Sequence, residues 1–436
     1  MPRSFTRYSQ GNRRHPERRE KSLQFAQRTL QEESRSDSLR RDAPRGRARF
    51  LVSLAMTALL AGACLAAAQT GSLDQAWSLL AKGQRPEAIR LLHEMIDANP
   101  RDAEARVLLG SVLMEEGKGP ESLAQLTEAV RLRPDWAQAQ NALGEAFKAF
   151  GDPEAARKAF AKAVERDPRF AQAQINLGLV LTEGGELSLA VPHLNSSIQL
   201  LGQRPEAAYP HYLLAKIYSE QAQISKAAAE LQQAVSLQPD FAEAWSDLGS
   251  VRKTLLDDAG ALAAFEKAVQ FAPNDPVAQT RLGSELLGQG KAHEAVPHLE
   301  EAVRLGAENQ SALYNLHRAL LLDGHTQEAE AVKQRLNDLL RRQDQADQNA
   351  VAGIQLNNQG AALEKAGNLP GALEKYRAAL ERYPEHVGIR LNFAIALLRL
   401  GYREQGISEL REVVRRDPKN LSAEKALKEA LARAPR

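Results

Sequence analysis

Small residues and prolines recur along this 436-residue chain at a fixed interval of 34. A small residue, in most copies directly behind a Leu, stands at Gly110, Gly144 and Gly178, then at Ala215, Gly249 and Gly283, and again at Gly360 and Ala394. Prolines keep the same beat at Pro100, Pro134 and Pro168, then Pro205, Pro239 and Pro273, then Pro384 and Pro418. A period of this length is one supersecondary unit that cannot bury its apolar face alone and is stable only when stacked on its neighbours. The chain is therefore expected to be one repeat array, and the usual division of length into globular domains does not apply.

Residues 137–170 show the unit most plainly. At a helical period, Leu143, Gly144 and Phe147 share one stripe of a first helix, and Ala156, Phe160 and Ala163 share one stripe of a second. Gly151 sits where the first helix must stop, and Pro153 follows where a missing N–H is tolerated at a helix start. Pro168 closes the second helix. Large residues facing Gly and Ala let the two backbones come close.

The set Leu143, Gly144, Phe147, Ala156, Phe160, Ala163 and Pro168 resembles the tetratricopeptide repeat (TPR) motif. The resemblance implies an all-α fold, a right-handed superhelical solenoid of about ten helix-turn-helix repeats. Repeat one starts near Gln69 with Ala76, Gly83, Ala88, Leu92 and Pro100 as landmarks. Three extra residues, Pro205 to Ala207, lengthen the turn before repeat five, which costs little because loop-closure entropy grows slowly. Repeat eight departs: His317 takes the small-residue place and Lys333 the aromatic place. Nine extra polar residues, 344–352, then form a joint, either an extended helix or a hinge, between a block at 69–343 and a block at 353–420. Asn420 or Ser422 can cap a last helix over 421–436, with Leu427 and Leu431 as its buried edge.

The net charge of +2 conceals an asymmetry. Residues 1–49 carry 14 Lys and Arg against 6 Asp and Glu and few large apolar residues, which reads as a disordered basic leader. The uncharged run 50–68 follows it and ends in the small residues Ala66 to Ala68, the pattern of an export signal cleaved after Ala68 or of a retained membrane anchor. Either way the repeats are expected outside the cytoplasm, periplasmic or secreted, or tethered at the inner membrane. The repeats themselves are mildly acidic, which gives no basis for a nucleic-acid groove. Cys64 is the single cysteine, so an internal disulfide and a cysteine zinc site are excluded.

No part of the chain outside the repeats is large enough for a catalytic domain, and no enzyme activity, cofactor or metal is expected. His293 and His298 lie five apart, whereas a zinc helix needs four, and His193 shares the repeat offset of His298 as a scaffold residue would. The glycines at 117–119 and 288–290 lack the spacing of a phosphate loop.

In the family the first helices line a concave face, with the second, fifth, ninth and twelfth positions of each repeat exposed. The resemblance places Asn141, Glu145 and Lys148, then Tyr209, Tyr212 and Lys216, then Glu243 and Lys253, then Tyr314 and Arg318 on that stripe as candidates for contact with a protein or peptide partner. Tyrosines and long cations are good interface anchors. Lys253→Glu is accordingly expected to weaken a bound partner and leave folding intact. Leu73, Trp77 and Leu80 at one end, and Leu391, Ile395 and Leu398 at the other, are apolar enough for docking, for self-association, or for packing against the leader or the last helix. Asn176, Asn315, Asn358 and Asn392 resemble the asparagine ladder in the TPR arm of a sugar transferase, which opens a second reading as the regulatory subunit of an envelope enzyme. The main expectation is a non-catalytic, exported TPR scaffold.

Overall fold

The computed structural model describes residues 70–417 and 420–432. The leader, the apolar run, the cleavage point after Ala68, Cys64 and Pro418 lie outside the described residues. Among the described residues, those up to 200 and those from 201 onward form two compact units.

The first unit begins with α1 (Thr70–Ala81), α2 (Arg85–Ala98), α3 (Ala103–Glu115), α4 (Gly119–Leu132), α5 (Ala137–Ala149), α6 (Pro153–Arg166) and α7 (Ala171–Glu183). It ends within α8 (Leu187–Leu201). The second holds a 3-10 turn at Pro205–Ala207, then α9 (Ala208–Glu220), α10 (Ile224–Leu237), α11 (Ala242–Thr254), α12 (Asp258–Phe271), α13 (Pro276–Gly288), α14 (Ala292–Leu305) and α15 (Gln310–Leu322). It continues with α16 (Thr326–Lys365), α17 (Leu369–Arg382), α18 (Val387–Arg399), α19 (Arg403–Arg416) and α20 (Leu421–Ala432). Within each unit, consecutive helices pack as pairs, and no strand occurs among the described residues.

The pair α5–α6 shows how the local sequence closes the unit. Gly151 adopts φ +77°, and the Asp152 amide reaches back to the Phe147 carbonyl at 2.8 Å, which satisfies a carbonyl at the end of α5. Asp152 then caps α6 by accepting from the Ala155 amide at 3.0 Å, with Pro153 in the first turn. Between the helices the Phe160 ring lies against Gly144 so closely that a Cβ there would stand 2.6 Å from two ring carbons. Gly110, Gly178 and Gly283 are held the same way by Leu126, Leu194 and Leu299. Repeat eight exchanges the sizes. His317 is partly buried and its Nδ1 lies 2.9 Å from the Ala329 carbonyl, while Lys333, at the place of the large residue, is exposed.

The recurring prolines acquire a second role. The fourth residue of a first helix donates to the carbonyl of the proline six residues earlier: Arg106 to Pro100, Gln174 to Pro168, Trp245 to Pro239, Gln279 to Pro273 and Arg390 to Pro384, at 2.8–3.2 Å. The same residue also clasps the second helix of its own pair. Gln174 meets His193 Nδ1 at 2.7 Å, Gln279 meets His298 Nδ1 at 2.8 Å, and Arg390 meets Glu409 at 2.6 Å. Burial pushes both imidazoles below the usual histidine value, which favours the neutral form, and a neutral ring can donate from Nδ1 to an amide oxygen. This gives the paired histidine offset its physical reason.

Two expectations need correction or completion. The joint at 344–352 is neither a turn nor a break: α16 runs unbroken for 40 residues, about 60 Å at 1.5 Å per residue. Its residues 341–348 are all exposed. At the far end Leu431 is 50% exposed and not buried. The buried edge of α20 is Ala423 and Ala430 with Leu427 beside them, and Asn420 caps the helix through the Ala423 amide at 3.0 Å. Leu391 and Leu398 pack against the core cluster that this edge joins, with Ala394, Ile407, Leu410 and Val413, and Leu73, Trp77 and Leu80 pack against a core of Ala76, Leu92 and Leu109.

Candidate functional site

The candidate residues lie on first helices, in two groups that are described separately. In the first unit Asn141 is only 5% exposed, and Glu145 and Lys148 are partly buried. A polar ladder joins α5 to α7 through them. Asn141 donates to Glu145 at 2.9 Å, and Asn176 donates to both Asn141 Oδ1 at 2.9 Å and Glu145 Oε1 at 3.0 Å. Gln172 completes it by donating to Asn176 at 3.0 Å, and Lys148 pairs with Glu183 at 2.8 Å. These side chains brace one repeat to the next before any partner arrives.

Burial pushes the Glu145 carboxyl above the usual carboxylate range, and hydrogen bonds from Asn176 and Asn141 oppose that only in part. A carboxyl with a raised folded pKa favours folding when protonated, and this contribution fades as pH rises through the folded value. Glu145→Gln keeps an oxygen for both asparagines and removes the buried charge. The variant is expected to melt higher than the parent at pH 7.5, with the gap closing as pH falls below the folded pKa. A lower melting temperature for the variant at pH 7.5 would contradict this.

In the second unit the same bracing appears with other residues. Arg281 donates to Ser246 at 2.7 Å and Asp247 at 2.9 Å, and Asn315 donates to Ser284 at 2.8 Å. Lys253 is held by Glu285, and Arg399 by Glu364. Asn392 donates to Asn357 at 2.9 Å. The asparagine of this pair is thus Asn357, whereas Asn358 is exposed. The register is that of the first unit: Asn141 and Asn357 stand three residues before Gly144 and Gly360, and their donors Asn176 and Asn392 stand two before Gly178 and Ala394.

Three of the candidates in the second unit form an aromatic cluster. Tyr209 and Tyr212 share a face of α9 with ring centroids 6.4 Å apart and planes inclined by 28°. Tyr212 also meets Phe241 at 5.0 Å, and Lys216 Nζ stands 5.7 Å from the Tyr212 ring. All four are partly exposed. On α15, Tyr314 is 53% exposed with the Arg318 guanidinium 5.7 Å from its ring. Phe241 was not among the sequence candidates because it precedes its helix, at a place outside the helical stripe. The alternation of tyrosine and cation at helical spacing was the legible signal.

Among the described residues no group of three or more His, Cys, Asp or Glu is placed to hold a metal ion. No helix among them is long and apolar enough to cross a membrane. A groove of about 430 Å³ beside Trp245, Glu266 and Lys267 contains Arg252, whose guanidinium already donates to Gln232 at 2.8 Å and to the Gly260 carbonyl at 3.2 Å.

Successive helix pairs, a small-to-large contact in most of them and a glycine turn between the helices of eight define a helical repeat protein. A tetratricopeptide repeat profile matches residues 73–137, 141–208, 212–276 and 280–346, and a second matches 363–431. The chain belongs to the tetratricopeptide repeat family. Proteins of this family are in general protein-interaction scaffolds, and the fold is typically non-catalytic. No curated protein matches the sequence. Among solved structures the chain is similar to Pseudomonas aeruginosa PilF, with 18% identity, TM-score 0.45, and coverage of 49% of this chain and 97% of that one. It is also similar to MamA from Desulfovibrio magneticus RS-1, with 24% identity, TM-score 0.36, and coverage of 39% and 95%. A thermophilic TPR protein of Thermus thermophilus, TTC0263, gives 24% identity, TM-score 0.36, and coverage of 42% and 98%.

Proposed function

We propose that the chain is a non-catalytic scaffold of the cell envelope that binds a protein or peptide partner along its first helices. The observation that carries this reading is the aromatic cluster of Tyr209, Tyr212 and Phe241 with Lys216, together with exposed Tyr314 beside Arg318. Elsewhere on the first helices, long polar side chains are engaged with neighbouring repeats. Here large rings with low conformational freedom are left partly exposed, and Tyr314 more than half so, the chemistry that concentrates binding energy at protein interfaces. Asn141, Glu145 and Lys148 in the first unit, and Lys253 in the second, act in this reading as braces that keep the first helices of their own unit preformed, which lowers the ordering cost of binding.

The envelope part of the proposal rests on the basic leader and the apolar run 50–68. The tagged chain, expressed in its own host beside a Tyr209→Ala, Tyr212→Ala, Tyr314→Ala variant confirmed to be folded, is expected to recover envelope proteins that the variant loses by at least about tenfold. Recovery of the same proteins by both would remove the tyrosines from the site. Fractionation of the same cells checks the location: repeats found only in the cytoplasm would overturn the export reading.

A further inference from the structure

Repeat six breaks a rule that eight other repeats keep. Where the first helix turns into the second, those repeats place Gly83, Gly117, Gly151, Gly185, Gly290, Gly324, Gly367 and Gly401 at φ from +74° to +89°. Repeat five departs only as far as the small Ala222, at φ +57°. Repeat six places Leu256 there at φ +62°, a conformation that a leucine adopts only under strain. The chain gains no burial in return, since Leu256 is 87% exposed and its neighbour Leu255 is exposed as well. An exposed leucine on a strained backbone, with no side chain packed over it among the described residues, points to a contact beyond them.

The surroundings extend this point into a surface. Gln289 donates to the Asp258 carbonyl at 3.3 Å, and His293 Nδ1 lies 3.1 Å from Asp323, so the turns of repeats six, seven and eight form one continuous edge. At its other end Leu321 and Leu322 are exposed. Between and beside the two leucine pairs, Asp257, Asp258, Glu294 and Glu328 are exposed, Asp257 with Arg252 at 3.8 Å and Glu328 with His325 at 3.4 Å, against Lys291, while Lys253 is bound to Glu285. The edge is therefore apolar and acidic together.

We propose that this turn edge of repeats six to eight is a docking surface for a basic amphipathic helix of a partner protein. Leu255, Leu256, Leu321 and Leu322 would receive the apolar stripe of such a helix, and the four carboxylates would face the Lys and Arg beside that stripe. The same carboxylates oppose an anionic lipid surface, which attracts basic segments. The edge is made of turns and the helix ends beside them, and Leu255 and Leu256 lie where repeat six turns, apart from the tyrosines of the first-helix face, so a test on them does not depend on that reading.

The test is fluorescence anisotropy on the full chain with a labelled 18-residue Leu–Lys amphipathic peptide. A scrambled isomer of equal charge and vesicles of phosphatidylglycerol and phosphatidylethanolamine serve as comparisons. Leu255→Ser with Leu256→Gly is expected to weaken peptide binding at least about tenfold, and the scrambled isomer should bind the parent at least about tenfold more weakly. Leu189→Ser, at an exposed leucine elsewhere, should change nothing. If the double variant melts below the parent, Leu256→Gly alone decides, because glycine suits the left-handed turn; its binding should still fall about threefold. Unchanged affinity in the variants, equal binding of the scrambled isomer, or preference for the vesicles over the peptide would each overturn the proposal.

Discussion

Gly144→Phe is expected to destabilise the chain by about 1–3 kcal/mol, because overpacking a closed helix pair forces either the rings or the backbones apart. The site leaves no alternative: even a lone Cβ would come within 2.6 Å of Cδ1 and Cε1 of Phe160, which is itself 1% exposed. Gly144→Ala should act in the same direction with a smaller effect. Adding Phe160→Leu to Gly144→Ala should recover part of the loss, because the chain already uses an Ala–Leu pair at the same offsets, Ala215 with Leu231 and Ala394 with Leu410. Chemical denaturation of the parent, Gly144→Ala, Phe160→Leu and the double variant forms a double-mutant cycle. Additive effects, or an unchanged unfolding curve for Gly144→Phe, would show that the two positions do not face each other.

Lys253→Glu is the second large effect, and here the structure reverses the sequence expectation that folding would be unaffected. Glu285 is 2% exposed and is held by Lys253, with Gln289 donating to it at 3.0 Å. Reversing the lysine leaves a buried carboxylate facing another carboxylate, a change expected to destabilise the second unit by about 3 kcal/mol. Glu285→Gln in the same chain should restore most of the stability by removing the buried charge. A melting temperature for Lys253→Glu equal to that of the parent would mean that the pair does not hold in solution.

The contrast between these two positions shows what the sequence could express. Gly144 and Phe160 lie 16 residues apart inside one repeat, and their pairing follows from helix periodicity, a glycine turn and a proline start, all local signals. Lys253 and Glu285 lie 32 apart on the first helices of successive repeats. Their meeting depends on how one repeat is stepped against the next, which no local pattern states. A similar distance separates Asn141 from Asn176 and Asn357 from Asn392, at 35 residues each, so the ladder was legible as a set of asparagines and not as a set of bonds. The polar joint at 344–352 admitted both helix and hinge because its residues have no apolar stripe to fix a partner. In the structure it is a helix carried by its own backbone, with support such as the Gln348 to Asp344 bond at 2.8 Å. Leu431 misled for a related reason: at the end of the last helix the small Ala430 makes the closer contact, and a leucine one residue on is left outside.

The most direct test of the scaffold reading places a photo-crosslinking amino acid at position 209, at position 314, or at position 271 on the end of α12, in the full chain expressed in its own host. Positions 209 and 314 lie on the first-helix face, whereas Phe271 is exposed on a second helix. Irradiation is expected to give the same partner-sized adduct from 209 and 314 and none from 271. An adduct from 271 with none from either tyrosine position would contradict the central claim that the first helices carry the partner.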